Sequence, residues 1–281
     1  MKFSIITPTW NQAAYIEDTI TSVLNQTHKD LELIIVDNLS TDGTKEIIER
    51  YAKKDSRIIY IRERDYGQAE AINKGFDRAD GDIVCWLNSS DFYVDEEVLE
   101  KVNSRFAENK KYQVVVGDAW YCNKNKELTE YKSSDKAKRK WVLRRWYYIM
   151  QSAVFWKKNE KRLEEAYHYV FDWKFFGELL KELPSNEICF SNEAYAVYRM
   201  YEDNKTGLDN AKRKKEIFEL QRRWKDSIPN IRWCHHVWRV YDAAEELAKR
   251  GQDEKARKMK KRVQFMNKVL FHVTGKRICS F

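Results

Sequence analysis

Small polar and acidic side chains follow four apolar segments in the first half of the sequence, where buried strands are predicted to end. They are Thr7, Pro8 and Thr9; Asp37 and Asn38; Glu63 and Asp65; and Asn88, Ser89, Ser90 and Asp91. The carboxyl ends of strands in an open parallel sheet meet at one edge, and ligands bind there. Taken one by one, Asp37 and Asp42 could cap a helix and Asp91 could be a turn residue. Taken together, they predict a polar ligand site at this edge.

Apolar strands alternate with amphipathic helices through residues 2–118, and these elements position the strand ends. Strands are predicted at 2–9, 31–38, 57–63, 82–88 and 112–118, and helices at 13–26, 41–54, 67–79 and 95–109. Continuous apolar strands that alternate with helices indicate a mostly parallel sheet with both faces covered. The sequence therefore predicts an α/β fold.

The turn after the first strand lacks the glycines with which many nucleotide-binding folds hold phosphate. It reads TPTWNQAAY, which contains neither the G-x-G-x-x-G of dinucleotide-binding domains nor a Walker A loop. A nucleotidyltransferase would also need a glycine-rich loop here. A metal ion that bridges a diphosphate is the alternative, because carboxylate and phosphate oxygens with water suit Mg²⁺ or Mn²⁺.

Composition indicates a soluble globular protein that stays in the cytoplasm. The 281 residues are 43% hydrophobic and 34% charged, and no segment has the roughly 20 consecutive apolar residues of a membrane span. Pro8 interrupts the N-terminal apolar run, which argues against a signal peptide. Five scattered cysteines without a C-x-x-C pair favour reduced thiols over disulfides or zinc.

The net charge of +8 indicates attraction to phosphate groups of a nucleotide, a lipid or a nucleic acid. Basic clusters lie at 136–148 and 255–262, and residues 209–275 read as two or three helices. The last is basic and amphipathic, so it fits either an anionic membrane surface or a packed helix with a solvated cationic face. A non-enzymatic protein that binds anionic lipid or nucleic acid is therefore a second function class. The acids clustered at the strand ends argue against it, because they would repel a phosphate polymer.

Three segments of the first half carry a resemblance to a known family. They read SIITPTWNQAAYIEDTITSVLNQTHKDLELIIVDNLSTDGT, RDYGQAEAINKGF and DIVCWLNSSDFY. Over residues 3 to about 118 the sequence resembles the nucleotide-sugar-binding half of family 2 glycosyltransferases with the GT-A fold. The resemblance implies a Rossmann-like, mostly parallel sheet and a nucleotide-sugar donor.

The resemblance also implies roles for individual residues. Asp37 would accept the N–H of the base, and Asp91 matches the last acid of the family's D-x-D motif, which binds a divalent metal on the diphosphate. The nucleotide-sugar-binding set it implies is Thr7, Pro8, Thr9, Asp37, Asp65, Gln68, Asn73, Asn88, Ser90, Arg199 and Lys205. Arg199 and Lys205 could neutralise the diphosphate or be ordinary surface cations.

Two positions depart from the family pattern. Ser90 stands where many members have a second Asp, and Tyr201 occupies the position of a His that often completes the metal shell. A serine hydroxyl can still bond a ribose but brings no charge, so metal affinity should rest mainly on Asp91. The metal, Mn²⁺ or Mg²⁺, would then be bound weakly, or the enzyme would be partly degenerate.

The second half must supply the acceptor site and a base. QSAVFWKK, at 151–158, resembles the family strand that crosses under the acceptor, and YHYVFDWKFFGELLKEL places Asp172 at the start of a helix. Inverting members carry their catalytic base there, because a carboxylate must take the proton from the attacking hydroxyl. Asp172 could instead cap its helix, and Glu164, Glu165 and His168 are alternative bases.

These observations predict three segments and one reaction. Residues 1–118 would bind the nucleotide sugar, 119–207 would complete the same GT-A domain with the acceptor and catalytic half, and 208–281 would form a helical extension. The predicted reaction is inverting transfer of a sugar from a nucleotide diphosphate, UDP first, to a hydroxyl of a glycan or lipid-linked acceptor. Residues 255–277 would attach the protein to the inner face of the membrane, and no nucleic-acid partner is expected.

Overall fold

Two buried strands, β1 (Phe3–Thr9) and β2 (Leu31–Asp37), form the parallel centre of the sheet in the computed structural model. All seven residues of each strand are buried, as their continuous apolar sequences require. The structure describes residues 1–138, 149–202, 204, 211–224, 236, 239–240, 243–244 and 246–274. They belong to two compact units, Met1–Arg213 and Lys214–Phe281.

Strands β3 (Ile58–Arg62) and β4 (Ile83–Trp86) extend the parallel sheet on either side of β2 and β1. Helices α1 (Ile16–Leu24), α2 (Thr44–Ala52) and α3 (Gln68–Arg78) connect the four strands. Each element lies within the range predicted for it. The predicted α/β alternation is therefore confirmed for this half.

The second half of the sheet is mixed. It contains β5 (Phe92–Tyr93), α4 (Val98–Glu108), β6 (Val114–Cys122), β7 (Leu128–Lys132), β8 (Val154–Lys157), α5 (Phe171–Glu182) and β9 (Ile188–Arg199). The strand order is β3-β2-β1-β4-β8-β6-β9-β5, and β7 pairs with β6. β8 is antiparallel to both β4 and β6, whereas β9 is parallel to β6. The strand predicted to end at residue 118 continues to Cys122, because its second half pairs with β7 and β9.

An aromatic cluster joins β4 to α5. The ring of Trp86 in β4 stacks on Phe176 of α5, with centroids 5.0 Å apart. Trp156 of β8 and Phe76 of α3 make edge contacts with the same group. Because Trp86 and Phe176 are almost fully buried, this cluster fixes the helix that carries Asp172 against the strand that leads to Asp91.

Of the two or three helices predicted at 209–275, the structure describes two, while much of the remaining range, 231–251, lies outside the described residues. They are α6 (Ala211–Arg223) and α7 (Asp253–Thr274), within the predicted ranges 209–226 and 253–275. Across the described part of the chain, no helix has both the length and the apolar character needed to span a bilayer. Cys85, Cys122 and Cys189 are free and buried, while Cys234 and Cys279 lie outside the described residues.

Candidate active site

The carboxyl ends of β1 and β2 bring two threonines beside an aspartate. Thr9 is the register partner of Asp37 in the parallel pair. Thr7 is fully buried and Thr9 is 5% exposed, and neither hydroxyl has a hydrogen-bond partner among the described residues. Buried hydroxyls are normally bonded, so both are candidates for contact with a ligand.

Asp37 is held by its own loop and by β3. One carboxylate oxygen, Oδ1, accepts hydrogen bonds from the N–H and the hydroxyl of Ser40, and the other accepts one from the Tyr60 hydroxyl at 2.7 Å. Arg62 Nε lies 3.5 Å from Oδ2. Burial and the bond to Asp37 raise the pKa of Tyr60 above its ordinary value. The carboxylate is therefore fixed in the place where the sequence predicts the contact with the base.

Two hydrogen bonds of Asn38, one through its main chain and one through its side chain, tie the loops after β1, β2 and β3 together. Asn38 donates its N–H to the Thr9 carbonyl at 3.0 Å, and its side-chain oxygen accepts the N–H of Asp65 at 3.0 Å. Asp42 accepts the N–H of Thr44, the first residue of α2, at 3.1 Å, whereas the N-cap position belongs to Gly43. Neither Asp37, which bonds Ser40 and Tyr60, nor Asp42 is therefore the N-cap residue of a helix.

The start of α3 connects the β3 loop to the segment after β4. Asp65 is 8% exposed and accepts the N–H of Gly67 at 3.0 Å. Gln68 donates a side-chain hydrogen bond to Asn88 at 2.8 Å. His168 Nδ1 lies 3.4 Å from where a Cβ atom on Gly67 would be, so the segment before α5 reaches this point of the edge.

Asn73 is directed toward the segment before α5. Its amide nitrogen donates to the Leu163 carbonyl at 3.0 Å and to a Glu165 carboxylate oxygen at 2.9 Å, and its oxygen accepts the Leu163 N–H at 2.9 Å. These bonds use both ends of the side chain. Asn73 therefore positions residues 163–165, a role that sequence reasoning did not assign to it.

Asp91 is the central carboxylate of the edge. It is fully buried, and its Oδ1 accepts the backbone N–H of Arg199 at 3.2 Å. Asn88 donates its side-chain amide to Oδ2 at 3.3 Å. Burial raises the pKa of Asp91 to about 7, although the N–H of Arg199, the Asn88 amide and the Arg199 charge all act to lower it.

Arg199 brings the buried cation next to Asp91. Its Nη2 donates to Asp18 at 2.6 Å, and the guanidinium lies over the rings of Tyr15 and Phe92 at 4.8 and 5.4 Å. The Nε atom has no hydrogen-bond partner in the described part of the protein. Sequence reasoning missed Asp18, whose only signal was an acidic residue in the first turn of a helix that leaves the predicted edge.

The two positions that depart from the family pattern lie together. Burial raises the pKa of Tyr201, and a side-chain hydrogen bond with Ser90 acts to lower it. The Tyr201 hydroxyl also donates to Gln12 at 3.3 Å, and its ring packs against Tyr15 with centroids 4.7 Å apart. A hydroxyl pair thus stands where the family pattern has an acid and a histidine.

The donor set suits a metal ion that is shared with a ligand. The described residues contain no group of three or more His, Cys, Asp or Glu side chains that could hold a metal. Asp91 supplies one carboxylate, with the Ser90 hydroxyl beside it. Mg²⁺ is commonly held by one or two carboxylates together with substrate phosphates. These residues therefore fit a cation whose remaining ligands come from a diphosphate and water.

Asp172 lies in the first turn of α5, at its second residue. Its Oδ1 accepts the N–H of Trp173 at 2.7 Å, and the side chain is half-buried. The N-cap position belongs to Val170. Asp172 therefore contributes to the helix start without being its cap residue, and its role as base stays a prediction.

Two alternative bases are engaged in other contacts. Glu164 forms an ion pair with the buried Lys174 at 2.9 Å, and Glu178 binds the same ammonium at 2.8 Å. Glu165 accepts the bond from Asn73.

Lys205 and most of the basic cluster 136–148 lie outside the described residues.

Solved structures of the same fold are glycosyltransferases. Staphylococcus aureus TarS 1–349 in complex with UDP-GlcNAc matches with a TM-score of 0.61 at 18% identity, covering 82% of this chain and 67% of that one. Glucosyl-3-phosphoglycerate synthase from Mycobacterium tuberculosis, with Mn²⁺ and UDP, gives 0.57 at 17% identity and covers 79% of each chain. The architecture is therefore the GT-A fold of glycosyltransferases. The chain belongs to glycosyl transferase family 2, whose model matches residues 4–172, more than half of its length.

Curated relatives are bacterial glycosyltransferases. The putative teichuronic acid biosynthesis glycosyltransferase TuaG of Bacillus subtilis is 48% identical over 100 residues, which cover 35% of this chain and 39% of TuaG. The GalNAc(5)-diNAcBac-PP-undecaprenol beta-1,3-glucosyltransferase of Campylobacter jejuni is 27% identical over 230 residues, which cover 77% of this chain and 71% of that protein. The match thus spans less than half the length of the Bacillus relative.

Replacing Asp91 by Asn should remove a pH-dependent loss of stability. Burial raises the pKa of Asp91 to about 7 from the ordinary 3.8, so the folded state retains a proton that the unfolded state releases. Metal-free stability of the wild type should therefore fall as pH rises from about 4 to about 7 and stay level above that. Asp91→Asn should lack this component of the fall and be more stable than the wild type at pH 8.

Urea unfolding in EDTA at pH 5 and pH 8 measures this difference. Asp77→Asn is a matched control, because Asp77 is an aspartate on the surface of α3 with 66% of its side chain exposed. Identical pH dependence in the wild type and Asp91→Asn would contradict the raised pKa.

Proposed function

We propose that this protein transfers a sugar from a nucleotide diphosphate sugar to a hydroxyl group, with inversion at the anomeric carbon. The observation that carries the proposal is the buried Asp91 carboxylate beside Arg199, at the same sheet edge as Thr7, Thr9 and Asp37. A carboxylate and a cation at the end of β4 suit a metal-bound diphosphate. The hydroxyls and fixed acid next to them suit a nucleoside.

In this arrangement the nucleoside lies over the ends of β1 and β2, with Asp37 toward the base and Asp65 and Gln68 closing that side. UDP is the nucleotide that we propose first, since the TarS structure of the same fold was solved with UDP-GlcNAc. Asn88 and Ser90 lie between this region and Asp91, within reach of a ribose or a phosphate. Arg199, with its unpartnered Nε, is the proposed cation for the diphosphate.

Asp91 would hold Mn²⁺ or Mg²⁺, which neutralises charge on the leaving diphosphate when bound. Asp172 takes the proton from the acceptor hydroxyl as that oxygen attacks the anomeric carbon from the face opposite the diphosphate. Packing of α5 against Trp86 gives this carboxylate a fixed position relative to β4. Residues 119–207 are the proposed acceptor half.

A nucleotide screen tests the proposed donor site. UDP, GDP, dTDP and CMP are added to the wild type with and without Mn²⁺, and the melting temperature is recorded. UDP with Mn²⁺ should raise it by several degrees, because a ligand at about 100 times its Kd stabilises the folded state by about 2.7 kcal/mol. Failure of every nucleotide to stabilise the protein would overturn the proposed function and favour a degenerate, non-enzymatic protein.

Two variants show whether Asp91 and Ser90 act on the metal. Asp91→Ala should keep its fold and lose the Mn²⁺-dependent part of the shift. Ser90→Asp places a second carboxylate beside Asp91 and should increase the Mn²⁺-dependent part of the melting-temperature shift. It would not do so if the neighbouring Tyr201 leaves no room for a metal ion at position 90. An undiminished Mn²⁺ effect in Asp91→Ala would remove Asp91 from the metal site.

Asp172→Asn tests the base. Asparagine keeps an oxygen that can accept the N–H of Trp173 but cannot take a proton, so turnover should fall by about 100-fold or more with donor affinity unchanged. Turnover is measured as UDP release from UDP-sugar with water as the acceptor. Asp77→Asn, on the exposed surface of α3, is the control that should match the wild type. Equal turnover in Asp172→Asn would show that another group is the base.

We further propose a lipid-linked or glycan acceptor and attachment of the cytoplasmic protein to an anionic membrane surface. The name of the Campylobacter relative includes an undecaprenol diphosphate acceptor. Lys258, Lys261 and Arg262 of α7 are exposed, and Phe265, which is 67% exposed, follows them at helical spacing on the same face. Each cation near such a surface contributes about 1 kcal/mol, and an exposed aromatic ring can enter the interface.

Sedimentation with vesicles of phosphatidylglycerol or phosphatidylcholine tests this attachment. The wild type should sediment with the anionic vesicles, and a variant with Gln at 258, 260, 261 and 262 should bind at least tenfold more weakly. A control with Gln at the exposed positions Lys53, Lys54, Lys110 and Lys111 loses the same charge from the first unit. An equal loss of vesicle binding in both variants, or no vesicle binding by the wild type, would show that α7 is only a solvated cationic helix.

A further inference from the structure

Gln151 and Ser152, directly before β8, carry buried polar atoms that the described residues leave without hydrogen bonds. Gln151 is 7% exposed and Ser152 is 2% exposed. Neither the amide nitrogen nor the amide oxygen of Gln151, nor the hydroxyl of Ser152, has a partner within the described residues. Each such atom is expensive to bury without a hydrogen-bond partner. Three of them on consecutive residues therefore call for a ligand or a water.

Another buried glutamine in the same unit shows the ordinary arrangement. Gln26 is fully buried, and its amide nitrogen donates to the carbonyls of Ser22 and Asp95 at 3.0 and 2.7 Å. Its oxygen accepts the N–H of Leu99 at 3.0 Å. The fold thus bonds both ends of one buried glutamine and neither end of the other. The difference points to a partner for Gln151 that is not part of the described chain.

The register of β8 places this pair at the edge of the candidate active site. β8 runs antiparallel to β4, with Trp156 opposite Val84, and Val154 lies opposite Val116 of β6. Because the two strands are antiparallel, the end of β4 that leads to Asn88 lies beside the start of β8, where Gln151 is found. The turn Gln151–Ala153 contacts β4, β6 and β9, so it lies between the strand that ends before Asp91 and the strand that ends at Arg199.

The order of the strands indicates what would meet this pair. In the proposed function, the nucleoside lies over β1 and β2, and the diphosphate lies at the end of β4. β8 is the next strand in the sheet. A sugar ring beyond the diphosphate is therefore the group that reaches the turn before β8. Its hydroxyls both donate and accept, as a glutamine amide and a serine hydroxyl do.

We propose that Gln151 and Ser152 bind hydroxyl groups of a sugar ring beside the diphosphate, directly or through one water, and thereby determine which sugar is accepted. This inference rests on the proposed function and gives the two residues a positioning and specificity role, with no proton transfer. The ring belongs either to the donor or to the acceptor. The chemistry of recognition is the same for both, so the experiment has an arm for each.

The test uses Gln151→Met, which keeps length and volume but removes both polar atoms, and Ser152→Ala, which removes only a hydroxyl. In the donor arm, affinities for UDP, UDP-glucose, UDP-galactose and UDP-N-acetylglucosamine are measured by calorimetry. In the acceptor arm, 4-nitrophenyl glycosides of the same three sugars are titrated into protein saturated with UDP. We expect each variant to lose about tenfold in one arm, with affinity for UDP alone unchanged.

Gln26→Met is the matched control for stability. It breaks three hydrogen bonds and leaves backbone groups of Asp95 and Leu99 without partners, so its melting temperature should fall by about 4 °C or more. Gln151→Met breaks none of the described bonds and should melt at or above the temperature of the wild type. Should Gln151→Met fail to fold, Ser152→Ala carries the same binding test.

The outcomes separate this inference from the proposed function. Unchanged affinities in both arms for both variants would mean that the pair holds only structural water, which overturns the inference. The inference would also be overturned if the wild type bound UDP, bound the UDP-sugars no more tightly than UDP, and bound none of the glycosides. If no nucleotide stabilises the wild type in the earlier screen, the proposed function itself fails and this inference falls with it.

Discussion

Burial of the Asp91 carboxylate is the constraint on which the edge of the sheet depends. A charged carboxylate without solvent contact is costly, and hydrogen bonds must compensate it. Here a backbone N–H of β9 and an amide of the β4 segment do so, while the Arg199 charge lies close by and is itself held by Asp18 of α1. Three elements far apart in sequence are thus required to place one acid.

The same constraint accounts for the hydroxyl pair at Ser90 and Tyr201. A second carboxylate at position 90 would repel Asp91 in a buried setting unless a cation stood between them. Serine and tyrosine bring no charge there, so Asp91 is the one carboxylate of this cluster, and the Arg199 guanidinium near it is shared with Asp18. In the function that we propose, Arg199 would oppose the negative charge of a diphosphate together with a bound metal.

Local patterns were sufficient to predict the first half of the fold and the identity of its strand-end residues. β1, β2 and β4 are continuous apolar runs, and polar residues mark where each one ends. The position of Asp37 and Asp91 at the ends of their strands could therefore be predicted from the sequence. Long-range contacts could not be found in this way. The bond between Asp18 and Arg199 joins residues 181 apart, and the direction of Asn73 toward residues 163–165 depends on how the segment before α5 packs. The extension of β6 to Cys122 likewise depends on the pairing of its C-terminal half with β9, about 75 residues further along the chain.

Asp91 and Asp172 are related through the core rather than through loops. Trp86 ends β4 five residues before Asp91, and its ring stacks on Phe176, one helical turn after Asp172. Close-packed aromatic rings resist displacement, so they hold the end of β4 and the first half of α5 in fixed positions relative to each other. Loops can then change around this packed pair without moving the elements that support Asp91 and Asp172. In the function that we propose, Gln151 and Ser152 could then differ in their choice of sugar while the packing that supports Asp91 and Asp172 stays the same.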